Sequence, residues 1–167
     1  MINLKCTKKL FSRIRESPEE IASKEPRLLG DWVANIIPIW GGELIIFINE
    51  RTYLTLVLPI SAVSDLQAAF RSQLFDLLRD LKVPKSFIGE VRTEISEISY
   101  TKTDSRRMLA LLNDATYYYQ DVVDFAPPDR IRNQVDMQLH MADWLYGPAP
   151  YQRPTVLLLE VVRESAK

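Results

Sequence analysis

Between Trp32 and Leu58 the chain passes through three apolar segments divided by two short polar turns, and no other stretch limits the fold as tightly. Trp32 to Ile39 is apolar at both parities except at Asn35, the pattern of a strand covered on both faces or central in its sheet. Gly41-Gly42 is a two-residue hairpin signal, and Glu43 to Asn49 returns as a second strand. Asn49-Glu50-Arg51-Thr52 turns again, before a third strand from Tyr53 to Leu58. Tight turns between consecutive strands predict an antiparallel meander. Pro38 cannot donate to a ladder, so it belongs at an edge or a bulge.

The flanking segments are read by periodicity. Ile2, Leu4 and Cys6 alternate with Asn3, Lys5 and Thr7, which predicts a short strand, and Thr7 can cap a helix carrying Leu10, Phe11 and Ile14. Ser17-Pro18-Glu19-Glu20 has the form of a second helix start, kept short by Pro26. After Pro59, Ser64-Asp65-Leu66-Gln67 reads as a capping box. It opens a helix with Leu66, Phe70, Leu74, Leu77, Leu78 and Leu81 on its apolar face. Pro84 closes this helix, Phe87 and Ile88 anchor a loop, and Ile95 to Thr101 makes a strand of mixed parity. A long helix follows from Met108 to Asp124. Its core face is Met108, Leu109, Leu112, Ala115, Thr116, Tyr119, Val122 and Val123, opposite Arg106, Asn113, Tyr117 and Gln120. Ala126-Pro127-Pro128-Asp129 ends it and caps another helix with Ile131, Val135, Leu139 and Ala142 inward. Gly147-Pro148-Ala149-Pro150 breaks that helix. Thr155 to Val162 is read as a helix opened by Pro154, with a strand as the competing reading. The expected fold is α+β, in one domain over 1–167 with 146–167 as a C-terminal extension. The meander is extended to about five antiparallel strands by the first strand and by Ile95 to Thr101, with helices mainly on one face.

Composition removes several function classes. Hydrophobic residues make up 47% and charged residues 26% of 167 positions, as in ordinary globular proteins. A net charge of −1 and a pI near 5.9 give no global drive toward nucleic acid, although a local basic patch stays open. The single cysteine, Cys6, excludes an internal disulfide. The N-terminal residues lack a secretory apolar core, and no apolar run is long enough to span a bilayer, so a cytoplasmic protein without membrane contact is expected.

Catalytic signatures are missing as well. His140 is the one histidine, and Cys6 is far from it in sequence, so no zinc-type ligand set forms. Asp31, Glu43, Glu50, Asp104 and Asp114 are carboxylates that no spacing brings together. No metal or cofactor is expected. Gly41-Gly42 lacks the helix and Lys-Ser/Thr of a phosphate loop, and no nucleophile elbow occurs. Trp32, Trp40, Tyr53 and Tyr117-Tyr118-Tyr119 could stack on bases. Core packing explains Trp32 and Tyr119 more simply, whereas helical geometry turns Tyr117 outward.

One turn stands apart. Tyr100 to Arg107 ends a strand, makes a tight polar turn and starts the long helix, which Thr103 or Asp104 can cap. Lys102, Arg106 and Arg107 lie at the positive end of the helix dipole, where cations are disfavoured unless an anion offsets them. A capped helix with a solvated basic first turn is the simpler reading; an anion site is the functional one.

Leu29-Gly30-Asp31-Trp32 with Asn35, Phe47-Ile48-Asn49-Glu50 with Thr52, and Thr101-Lys102-Thr103 with Ser105-Arg106, Leu109, Asn113 and Asp114 resemble motifs of a family of small bacterial proteins known only as a domain of unknown function. Leu4 to Leu10 is similar too, and the likeness runs to about Tyr119 before thinning to Leu145-Tyr146 and Pro148. Ala110 stands where the family pattern has Gly. The resemblance carries no activity or cofactor, but it directs attention to the polar residues of these motifs. Lys102, Thr103, Ser105, Arg106 and Asn113, with Asn35 or Glu50 across the sheet, form the candidate ligand site. The expected function is a binding or regulatory module, not an enzyme, acting on a protein or small anionic partner. The competing reading is an enzyme or binder for phosphate-bearing ligands, nucleotides or nucleic acid, with Glu50 or Asp114 as acid-base groups.

Overall fold

A computed structural model describes residues 1–19, 28–39, 42–103, 105–125, 134–144 and 152–167. The strands are β1 (Ile2–Cys6), β2 (Trp32–Ile39), β3 (Gly42–Asn49), β4 (Thr55–Pro59) and β5 (Ile98–Lys102). The helices are α1 (Lys8–Ile14), α2 (Leu66–Asp80), α3 (Lys85–Glu94), α4 (Arg106–Phe125), α5 (Gln134–Ala142) and α6 (Pro154–Ser165). A 3-10 turn, Ile60–Asp65, joins β4 to α2.

The expected α+β class and five strands are present, and β2, β3 and β4 form the antiparallel meander. The sheet as a whole is mixed. Its order is β4-β3-β2-β1-β5, and β1 runs parallel to both neighbours, with Leu4 beside Trp32 and beside Tyr100. The expectation of a purely antiparallel sheet is thereby corrected. Helix α1 joins β1 to β2, and α2 and α3 join β4 to β5, which lets the chain return to the same end of the sheet and add a parallel strand.

The helices also cover both faces, not one. On the first face Leu4, Trp32, Phe47 and Leu56 meet Leu10 of α1, Phe70 and Leu74 of α2, and Phe87 and Val91 of α3. Trp32 packs edge-on to Phe70 at 5.3 Å between ring centres. On the second face Val33, Ile37, Ile46, Ile48 and Val57 meet Met108, Leu112 and Ala115 of α4, and Met137 and Met141 of α5. Two covered faces explain why β2 and β3 are apolar at both parities.

Local chemistry sets the boundaries. Thr7 caps α1 by accepting the Leu10 N–H at 3.4 Å. Asp65, not Ser64, caps α2, accepting from the Ala68 N–H at 3.2 Å. The third strand starts at Thr55, later than expected, because Tyr53 takes a left-handed backbone with φ 57 and belongs to the turn. That turn is built on Asn49, fully buried, whose Oδ1 accepts from the Arg51 and Thr52 N–H groups and the Thr52 hydroxyl. Its amide donates to the carbonyls of Leu29 and Asp31. Pro38 pairs with Glu43 beyond the point where β1 ends, so β2 has no neighbour from β1 there.

Phe87 and Ile88 lie in α3, where a loop was expected; with Val91 and Ile95 they bury a helical face that Gly89 obscures. Consequently β5 begins at Ile98, after Ile95 has ended α3. On α4 the core face is centred on Leu111 and Leu112, and Leu109 is only half-buried. On α5, Met137, Gln138 and Met141 face inward while Val135 is exposed, the reverse of the expected assignment for Val135. Thr155 to Val162 is helical, with Leu158 and Val161 in the core. The Gly41 half of the hairpin signal, Glu20 to Arg27, the 126–129 stop and the 147–150 break lie outside the described residues.

Candidate functional site

The second face of the sheet is apolar only over its β2-β3-β4 half. Over β1 and β5 strand alternation delivers Asn3 and Lys5, then Ser99 and Thr101, with Thr7 and Thr103 following. β2 adds Asp31 and Asn35, of the same parity as Val33. The result is a polar seam along one side of α4. Its β1-β5 centre is packed, with Asn3 fully buried, Thr101 1% exposed and Ser99 6%, while Lys5, Asp31, Asn35 and Thr103 are half-buried.

The seam is cross-linked in tiers. The backbone N–H and the amide of Asn3 both donate to the Asp31 carboxylate, at 3.0 and 3.1 Å. The Lys5 ammonium lies 3.3 Å from Asp31 and 2.7 Å from Glu50. Burial alone would pull the Lys5 pKa down, but the hydrogen bond and charge of Glu50, with those of Asp31, outweigh it and hold the ammonium above its ordinary value. At the top, the Thr7 hydroxyl donates to Asn35 Oδ1 at 2.6 Å, and the Thr103 N–H donates to the Cys6 carbonyl at 3.3 Å.

Three atoms of the seam have no protein partner. Asn3 Oδ1, Thr101 Oγ1 and Thr103 Oγ1 are buried without a hydrogen bond. A buried polar atom left unpaired costs about 1–3 kcal/mol, so each of the three, spaced along the strands, calls for an explanation.

The start of α4 adjoins the seam through the 103–105 connection. Ser105 caps the helix, its hydroxyl accepting the Met108 N–H at 3.2 Å and its carbonyl the Leu109 N–H at 3.0 Å. Capping therefore does not need Thr103, and Asp104 lies outside the described residues. Lys102 and Arg106 are exposed and make no ion pair among the described residues, and the first turn of α4 holds no acid. Arg107 is engaged elsewhere, packed over the Tyr53 ring and donating to its hydroxyl.

The structure thus brings Thr103 and Asn35 to the end of β1, with Glu50 joined to the seam through Lys5. Asn113 lies on the exposed side of α4 about 10 Å along the axis from Arg106, from its seven-residue spacing. Asp114 is exposed as well. Spacing alone did not single out Asn3, Lys5, Ser99 and Thr101. The available signal was the strict polar alternation of 3, 5, 7 and 99, 101, 103, which ordinarily marks a solvent face.

Other candidate chemistry is accounted for. Glu43 pairs with Lys9 and Arg13. Among the described residues no three His, Cys, Asp or Glu side chains gather as a metal site. Cys6 is buried, which pushes its thiol up to about 12 and leaves it a poor nucleophile. No helix among the described residues is long and apolar enough to cross a membrane.

A family model described as a domain of unknown function (DUF6933) matches residues 3–156. No curated protein and no solved structure matches the chain.

Proposed function

The chain belongs to the DUF6933 family, a domain of unknown function, and we propose that it is a binding module for a small oxyanion, a phosphate or carboxylate group, taken up between the polar seam and the start of α4. The observation that carries this reading is the pair of unpartnered buried hydroxyls on the seam, Thr103 Oγ1 foremost and Thr101 Oγ1, with the exposed Arg106 three residues after Thr103 at the start of α4. Hydroxyls donate to oxyanions, Arg106 supplies charge, and the N-terminus of a twenty-residue helix adds its dipole, whereas Lys102, of the same parity as Ile98 and Tyr100, belongs to the other face of β5. Glu50 is committed to Lys5 and Asp114 stands exposed on the helix, so neither favours an acid-base role over plain binding.

A thermal-shift titration with inorganic phosphate, sulfate, acetate and citrate tests the proposal. A ligand specific for the folded state stabilises it by mass action, by about 2.7 kcal/mol at a hundredfold excess over Kd, and so raises the melting temperature. The expected result is a saturable rise that Arg106→Ala and Thr103→Val each abolish. No rise with any of the anions, or a rise unchanged in both variants, overturns it.

A further inference from the structure

The α4–α5 side of the molecule carries chemistry that the seam does not use. Tyr118 stands at its centre. Its ring lies 3.8 Å from that of Trp144 and within 11° of parallel to the His140 imidazole, 6.0 Å away. Its hydroxyl is 2.8 Å from His140 Nε2. These rings stay at the surface: His140 is exposed and Trp144 is 43% exposed. Next to Tyr118, Tyr117 is 68% exposed, and Phe125 one row along is 82% exposed.

Among the described residues of α4 and α5 the charges around this shelf are acidic. Helical spacing puts Asp114 and Asp121 in the same row as Tyr118, one turn before and one turn after it, and both are exposed. Asp136 lies one turn before His140 on α5. From Met108 to Phe125, and from Gln134 to Ala142, the chain contains no lysine or arginine. Asp143 is already neutralised by Arg153 at 3.1 Å, whereas Asp114 and Asp121 make no ion pair among the described residues.

We propose that this shelf docks a basic segment of a partner protein, an arginine side chain lying over the exposed Trp144 with Asp114 and Asp121 as counter-charges. Ring faces are negative and attract cations, and a planar guanidinium stacks on them better than an ammonium. The acidic rim repels nucleic-acid phosphates, which excludes the base-stacking use that exposed aromatics otherwise suggest. A purely apolar partner would leave the carboxylates without purpose, since acids are depleted at apolar interface cores.

The experiment uses the full chain and a capped Gly-Arg-Gly-Arg-Gly-Arg peptide, followed by NMR at the Trp144 indole N–H. Controls are the same peptide with citrulline in place of arginine, which keeps shape and removes charge, and an oligothymidylate. Saturable binding of the arginine peptide is expected, weakened by salt and weakened about tenfold in Trp144→Ala and in the Asp114→Asn, Asp121→Asn double variant. Equal binding of the citrulline peptide, preference for the oligothymidylate, unchanged affinity in both variants, or no saturable binding each overturns the proposal. The melting temperatures of the variants check that these exposed substitutions leave the fold intact.

Discussion

The Lys5 ammonium donates to the Glu50 carboxylate across 2.7 Å, tying the strand between β2 and β5 to the turn after β3. Asp31 lies on the other side of the same ammonium at 3.3 Å. Because the folded state holds the Lys5 pKa above 10.5, its contribution is fully present below that pH and fades as pH rises through the raised folded value. Burial pushes Cys6 and Tyr100 up to about 12, and both lose stability in the same alkaline window, so the informative quantity is a difference. Lys5→Met should cost about 1–3 kcal/mol at neutral pH by taking the shared cation from the Glu50 and Asp31 carboxylates, although Asn3 still donates to Asp31. Its deficit relative to the parent should shrink in strongly alkaline buffer. Urea melts of both chains at neutral and alkaline pH measure this, and a pH-independent gap would contradict it.

The unpartnered hydroxyls make the opposite kind of prediction. Thr101→Val replaces a buried, unbonded Oγ1 by a methyl group of the same shape. Such exchanges are near neutral or stabilising by about 1 kcal/mol, because a desolvated polar atom disappears and no bond is lost. Thr101→Val should therefore melt at or above the parent temperature. Ser105→Ala, by contrast, removes a cap and should cost about 1 kcal/mol. Calorimetry on the two variants separates a hydroxyl kept for a ligand from one kept for the helix.

At the β4 edge the Val57 N–H points away from the sheet and donates to Gln138 Oε1 at 3.1 Å, on a side chain 2% exposed. Gln138→Ala should remove this buried acceptor, costing about 1–3 kcal/mol. Val57 should then lose its hydrogen-exchange protection ahead of its strand neighbours. Retained protection would mean that another acceptor replaces the glutamine.

The legible parts of the fold are those whose pattern is local and apolar. Runs such as Ile45 to Ile48 announce strands at both parities, and the leucine spacing of α2 announces a helix. The polar faces of β1 and β5 look solvated because alternation records polarity, not burial; only the neighbours of Asn3 and Thr101 make them interior. Parallel pairing is hidden for a related reason, since Leu4 meets Tyr100 from far away in sequence. α3 escaped because Gly89 and Thr93 weaken a ten-residue helix. At the candidate site, the exposure of Lys102 and Arg106 follows from spacing. Which of Thr103, Asp104 and Ser105 caps α4 does not, because all three have a suitable oxygen. The Lys5–Glu50 contact joins residues 45 positions apart, and no short-range pattern reports it.

The interior position of β1 has a consequence for how the chain is made. Ile2 emerges from the ribosome well before Ile98, where one of the strands that must lie against it starts. Until that segment has been synthesised, one rim of β1 has no permanent neighbour, and its amides and carbonyls are open to another nascent chain. Pairing across so long a span also makes closure of the sheet a late and slow event. Whatever holds the first strand in the meantime, a helper protein or the growing chain itself, guards the step at which this protein is most exposed to misassembly.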